Sequence, residues 1–115
     1  MTPTMPFEFG DVVLVPFPFT SQTASKQRPA VVVSALAYNQ AKPDIVLMAI
    51  TSQFRPSPAL GEVWLRDWQA AGLLKPSAVK PVFATLEQNL VIRQLGALAL
   101  LDKNVLKNAI SQILG

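Results

Sequence analysis

The chain contains no cysteine and no histidine in its 115 residues. Without cysteine, neither a disulfide framework nor a thiolate metal site can form. Without histidine, the commonest metal ligand and the commonest general acid–base are both missing. Any catalysis therefore falls to arginine, lysine, hydroxyls or carboxylates, with no metal and no cofactor expected. Charge is scarce too. Charged residues make up 15% of the chain against 50% hydrophobic, which excludes a disordered, solvating polypeptide. No apolar run approaches the roughly 18 residues of a membrane span. Met1 to Phe9 also lacks the basic start and apolar stretch of a secretory signal. The expectation is a cytoplasmic protein with no membrane partner.

What the chain does have is proline. Its ten prolines fall at the edges of apolar runs, a punctuation that suits several short strands better than long helices. The length fits one domain, 1–115, with a single core. Ten basic and seven acidic residues give a formal net charge of +3, which favours a polyanionic partner without requiring one.

Asp11 to Phe17 is nearly continuous apolar and β-branched and reads as a buried strand ending near Pro16. Pro18 to Arg28 is small and polar, as in a loop. Pro29 then opens a second strand, Ala30 to Ser34. Asp44 to Thr51 reads as a third buried strand, followed by a loop to Leu60. Gly61 to Arg66 alternates, with Val63 and Leu65 on one side and Glu62, Trp64 and Arg66 on the other. Trp68 to Gly72 reads as a turn or short helical connector. Ser77 to Glu87 reads as extended, with Pro81 marking an edge or a bulge. Leu90 to Ile92 adds a short strand. At the C-terminus Asp102 has the character of an N-cap, and Leu106, Ala109, Ile110, Ile113 and Leu114 recur at helical spacing.

Two places could carry chemistry. In Lys26-Gln27-Arg28-Pro29 a loop meets a buried strand, and the planar fork of Arg28 suits a bidentate grip on phosphate. An ordinary surface arginine in a turn is the other reading. In Ile50-Thr51-Ser52-Gln53 two hydroxyls and an amide leave a buried strand, where they can donate to phosphate oxygens or read a base edge. The alternative is that Thr51 and Ser52 simply close the strand through local backbone hydrogen bonds. Lys75 and Lys80 could track a nucleic-acid backbone or merely solvate a surface. Phe17 and Phe19 could stack on a base or pack in the core.

In order along the chain, Gly10-Asp11-Val12-Val13-Leu14-Val15, Lys26-Gln27-Arg28-Pro29-Ala30-Val31-Val32-Val33-Ser34, Ile50-Thr51-Ser52-Gln53, Ala71-Gly72-Leu73-Leu74-Lys75-Pro76-Ser77, Thr85-Leu86-Glu87 and Leu95-Gly96 resemble the MazF/PemK-type toxins. The resemblance runs from about Phe9 to the last residue. It implies a mainly β fold with α, an SH3-like small β-barrel of the MazF/PemK/CcdB kind with a C-terminal helix. It implies a toxin of a type II toxin–antitoxin system that cuts single-stranded RNA without metal, leaving 2′,3′-cyclic phosphate and 5′-hydroxyl ends. The partners implied are the RNA, a cognate antitoxin, a second copy in a homodimer, and operator DNA only through the antitoxin.

Carried over by position, the resemblance makes Arg28 and Thr51 the catalytic pair and Ser52 and Gln53 substrate contacts. It makes Phe19 to Gln27 the loop that shapes the RNA groove, with Phe19, Thr20, Lys26 and Gln27 as RNA contacts; Lys80 is added to these contacts on its charge, not by the resemblance. One departure stands out. Many relatives have an acidic residue in the first loop, whereas Thr20 to Lys26 has no carboxylate and position 21 is Ser. The rival expectations on the same barrel are a gyrase poison of the CcdB type and a binding module without turnover. The former end in Trp-Gly-Ile, whereas this chain ends Ile-Leu-Gly.

Overall fold

The computed structural model describes residues 6–17, 26–53 and 57–115. Six strands run β1 (Asp11–Phe17), β2 (Lys26–Val32), β3 (Asp44–Thr51), β4 (Val63–Trp64), β5 (Ala78–Glu87) and β6 (Arg93–Ala97). A short helix α1 (Leu36–Ala41) joins β2 to β3, and α2 (Leu100–Leu114) ends the chain. The strands form one curled antiparallel sheet in the order β4-β5-β3-β2-β1-β6. This half-barrel with a C-terminal helix is the mixed fold that the sequence led us to expect. Among the described residues no helix is long and apolar enough to cross a membrane.

The central strands are apolar at successive positions because both faces of the sheet are covered. On one face Val12, Val31, Met48 and Ile50 pack with Val63, Leu65, Leu106 and Ala109, so α2 lies over that side. On the other face Val13, Val15, Ala30, Val32, Ile45 and Leu47 pack together under Phe7, Leu90 and Val91. Two-sided burial removes the polar half of the usual alternation. β4 is different: Val63 and Leu65 are buried while Trp64 is only partly covered, as its alternation predicts.

A backbone-to-backbone seam curls the sheet. The turn at residues 68–72 lies against β6, with Gly72 and Gly96 at the contact. A Cβ on Gly72 would lie 2.0 Å from the Leu95 carbonyl oxygen, and one on Gly96 would lie 2.7 Å from the Ala71 carbonyl. Only glycine permits that approach, and Gly72 also holds a φ of +79°.

Three expectations need correction. First, β2 begins at Lys26, not at Ala30, because Lys26, Gln27 and Arg28 pair with Phe17, Pro16 and Val15. Second, Leu90 to Ile92 is not a strand. Gln88–Leu90 is a 3₁₀ turn closed by the Val91 N–H on the Gln88 carbonyl, and β6 begins only at Arg93, where pairing with Leu14 starts. Third, Asp102 does not cap α2. The helix starts earlier, after Ala99, and Asp102 sits in its first turn, 1% exposed. Its carboxylate accepts the backbone N–H groups of Arg66 at 3.0 Å and Asp67 at 2.9 Å. The buried face of α2 is Leu106, Ala109, Ile110 and Ile113, but Leu114, expected on that face, is 68% exposed although Ile113 beside it still packs on the core.

Candidate functional site

The site is made by a split in the sheet. β2 and β3 pair from Val32–Leu47 as far as Ala30–Ala49 and then part. Beyond that pair each strand stays with its outer neighbour: β2 follows β1 to the Phe17–Lys26 pair, and β3 follows β5 to the Thr51–Ala78 pair. Both prolines near this point favour the split. Pro29 has no N–H to offer to a ladder. On β5, Lys80, Pro81 and Val82 together face only Ala49, since Val79 pairs with Ile50 and Phe83 with Met48. That is the bulge expected at Pro81, and a bulge bends and twists its strand.

Arg28, Pro29, Ile50 and Thr51 are the first residues past the split, and all of them line two clefts, one on each side. The larger, about 420 Å³, is completed by Leu14, Ser52, Leu73, Leu74, Lys75 and Arg93 among others. The smaller, about 240 Å³, adds Phe17, Ala49, Lys80 and Val82. Arg28 and Thr51, 23 positions apart in sequence, thus share one notch although they stand on different strands.

Charge in the notch has one sign. Arg28, Lys75 and Arg93 line the larger cleft and Lys80 joins Arg28 in the smaller. No Asp or Glu among the described residues lines either cleft. A concave surface lined by cations and apolar walls concentrates potential for an anionic ligand. The Arg28 guanidinium sits 5.5 Å from the centroid of the Phe17 ring, a cation–π contact that limits where the fork can point. The Thr51 hydroxyl accepts the Gln53 N–H at 3.0 Å and donates to the Gln53 carbonyl at 3.1 Å. The local backbone bonding weighed as an alternative for Thr51 is therefore present. It leaves one lone pair of the oxygen open and its proton free to swing.

Of the other expected contacts, Ser52 lines the larger cleft and Lys80 the smaller. Lys26 and Gln27 are exposed at the start of β2 and line neither cleft, as is true of Gln53, which acts through its backbone on Thr51. Phe19 and Thr20 lie outside the described residues. The residue that sequence reasoning missed is Arg93. Its place in the cleft comes from the pairing of Leu14 with both Arg93 and Pro29, a long-range register with no local signature. Lys75, which by sequence could track a backbone or merely solvate a surface, lines the larger cleft. Among the described residues no group of three His, Cys, Asp or Glu side chains could hold a metal ion.

Comparison with known proteins bears on the fold and the family. A model of the PemK-like, MazF-like toxins of type II toxin–antitoxin systems matches residues 8–114. Among solved structures, the chain is similar to an endoribonuclease from Mycobacterial species in complex with its cognate antitoxin. The TM-score is 0.77 at 19% identity, covering 95% of this chain and 95% of that chain. It is also similar to the MazE–MazF structure from Deinococcus radiodurans, with TM-score 0.74, 19% identity and coverage of 97% and 98%. A third is the Mycobacterium tuberculosis toxin MazF-mt6, with TM-score 0.71, 20% identity and coverage of 89% and 93%. At such identities the structural likeness speaks for the fold. No curated protein matches the chain significantly. The match over nearly its whole length nevertheless decides the family: the chain belongs to the PemK-like, MazF-like toxins of type II toxin–antitoxin systems.

Proposed function

We propose that the chain is a metal-independent endoribonuclease that cuts single-stranded RNA at the notch between β2 and β3. The observation that carries this reading is the meeting of Arg28 and Thr51 at the split, in clefts lined by cations and by no described carboxylate. The endoribonuclease activity named for the Mycobacterial structure supports it.

RNA brings its own nucleophile. The 2′-oxygen attacks the adjacent phosphorus, the P–O5′ bond breaks, and the products carry a 2′,3′-cyclic phosphate and a 5′-hydroxyl. Because the nucleophile is tethered, positioning and charge stabilisation supply most of the acceleration. Arg28 grips the non-bridging oxygens as negative charge builds on the phosphorane. A guanidinium does this well and serves poorly as a base. Thr51 stays anchored by the Gln53 N–H while its proton swings from the Gln53 carbonyl to a phosphate oxygen. Ser52, Lys80 and Arg93 bind the flanking backbone. With no carboxylate among the described residues that line the notch, solvent takes the 2′-hydroxyl proton.

In this reading the protein works as a homodimer, with an antitoxin as its controlling partner. The antitoxin complexes of the Mycobacterial and Deinococcus structures support the second part. The test is cleavage of single-stranded RNA in EDTA by the wild type and by Arg28→Ala. Wild-type cleavage that persists in EDTA and a silent variant are expected. Equal rates for the two proteins would remove Arg28 from the site.

A further inference from the structure

The mechanism leaves one proton unassigned: the departing 5′-oxygen needs one, and Arg28 is spent on the phosphate. We propose that Lys75 is the general acid that protonates the leaving 5′-oxygen. This assignment rests on the ribonuclease reading above.

The larger cleft is the one that can hold the reacting nucleotide. Its volume of about 420 Å³ falls within the range of roughly 300–1,000 Å³ typical of ligand pockets, whereas about 240 Å³ falls short of it. The proton carriers among its lining residues are Arg28, Arg93, Lys75 and the hydroxyls of Thr51, Ser52 and Ser77. An alkylammonium gives up its proton at least about two pH units more readily than a guanidinium, and neutral hydroxyls are weaker acids than the ammonium. The Ser77 hydroxyl is also committed, to the Lys75 carbonyl at 2.9 Å, and the Thr51 proton goes to a phosphate oxygen in the mechanism above. Lys75 is the remaining donor of the right chemistry.

Its backbone is held where a proton donor must be held. The arm from Arg66 to Ser77 is tied down at several points. Asp102 of α2 grips the N–H groups of Arg66 and Asp67 at one end. Within the turn, the Gly72 N–H meets the Gln69 carbonyl and the Leu73 N–H meets the Trp68 carbonyl, at 3.0 and 3.1 Å. Gly72 is pressed against β6. At the other end the Leu65 N–H meets the Ser77 carbonyl at 3.0 Å. The arm therefore delivers Lys75 to the cleft from a fixed base, while the side chain stays exposed and free to follow the substrate.

In the step itself, the new 2′-O–P bond forms as P–O5′ breaks, and the electron pair goes to O5′. O5′ takes a proton from the Lys75 Nζ. The 2′-hydroxyl proton goes to solvent, and the Lys75 amine regains a proton from water.

The test compares an ordinary single-site RNA with the same RNA carrying sulfur in place of the bridging 5′-oxygen, since a thiolate leaves without protonation. Lys75→Met and Lys75→Arg are each expected to slow cleavage of the oxygen substrate by about 100-fold or more, while cutting the sulfur substrate within about threefold of wild type. The exposed position of Lys75 makes misfolding of these variants an unconvincing explanation of such a split, because both substrates are read on one preparation. An equal defect on both substrates, or no defect on either, overturns the assignment alone. A wild type that cuts neither RNA overturns the ribonuclease reading and the assignment with it.

Discussion

Replacing the seam glycines tests whether backbone contact between the turn at residues 68–72 and β6 keeps the sheet curled. Three alanine variants separate the contributing costs. Gly10→Ala adds a side chain at a φ of +94°, but the new Cβ meets only the flexible end of Lys103 at 2.7 Å. Its cost should be the left-handed strain, about 1–2 kcal/mol. Gly96→Ala has no such strain, but its Cβ meets the Ala71 carbonyl carbon and oxygen at 2.7 Å. Forced overpacking of this kind costs about 1–3 kcal/mol. Gly72→Ala suffers both, at a φ of +79° and 2.0 Å from the Leu95 oxygen. Its cost should be about 3–5 kcal/mol, the sum of these ranges with the contact near its upper end. Against Gly10→Ala that excess of about 2–3 kcal/mol lowers Tm by roughly a further 10 °C for a chain of this size. Urea and thermal unfolding followed by tryptophan fluorescence give the comparison. Because Gly72, Leu73 and Leu95 also line the larger cleft, Gly72→Ala should weaken RNA binding at temperatures where it remains folded. The reasoning fails if Gly96→Ala is as stable as the wild type, or if Gly72→Ala costs no more than Gly10→Ala.

Other predictions follow from single groups. Asp102→Ala leaves the N–H groups of Arg66 and Asp67 without their acceptor and should lower unfolding stability by about 2–4 kcal/mol, with Asp102→Asn between it and the wild type in urea titrations. Burial holds the Asp11 carboxyl above the usual range, against the opposing pull of the Glu8 N–H and the Gln94 side chain. A carboxylate raised in the folded state contributes most below its unfolded pKa and loses that contribution as pH rises through the folded value. Asp11→Asn should therefore stabilise the protein at neutral pH and show no gain in acid, as measured by Tm against pH. Arg28→Lys keeps the charge but loses the planar fork and most of the Phe17 contact. It should hold KM for RNA within a few-fold while kcat falls by about 100-fold.

Much of this arrangement is legible in the sequence, and the rest depends on pairings between distant residues. β1 and β3 have the bounds that their apolar runs suggest, because covering on both faces leaves an unbroken signal. The first half of β2 is hidden because Lys26, Gln27 and Arg28 pair with β1 on an open flank, where polar residues cost little. α1 has only six residues, too few for a helical period, and it is anchored instead by Asn39. That side chain donates to the Phe7 and Ser34 carbonyls, at 2.7 and 3.1 Å. Asp102 has the composition of a cap, yet its acceptors serve a turn some 35 residues away in sequence. Arg28 and Thr51 could each be singled out from strand ends. That they share a notch follows only from where β2 and β3 part, and no local pattern announces Arg93 beside them.

The measurement that bears most directly on the nuclease site is the end chemistry of one defined RNA after digestion in EDTA, read by mass spectrometry. A 2′,3′-cyclic phosphate on one fragment and a 5′-hydroxyl on the other, both absent with Arg28→Ala, is the predicted result. A 5′-phosphate product, or intact RNA after prolonged incubation with folded wild-type protein, would contradict it.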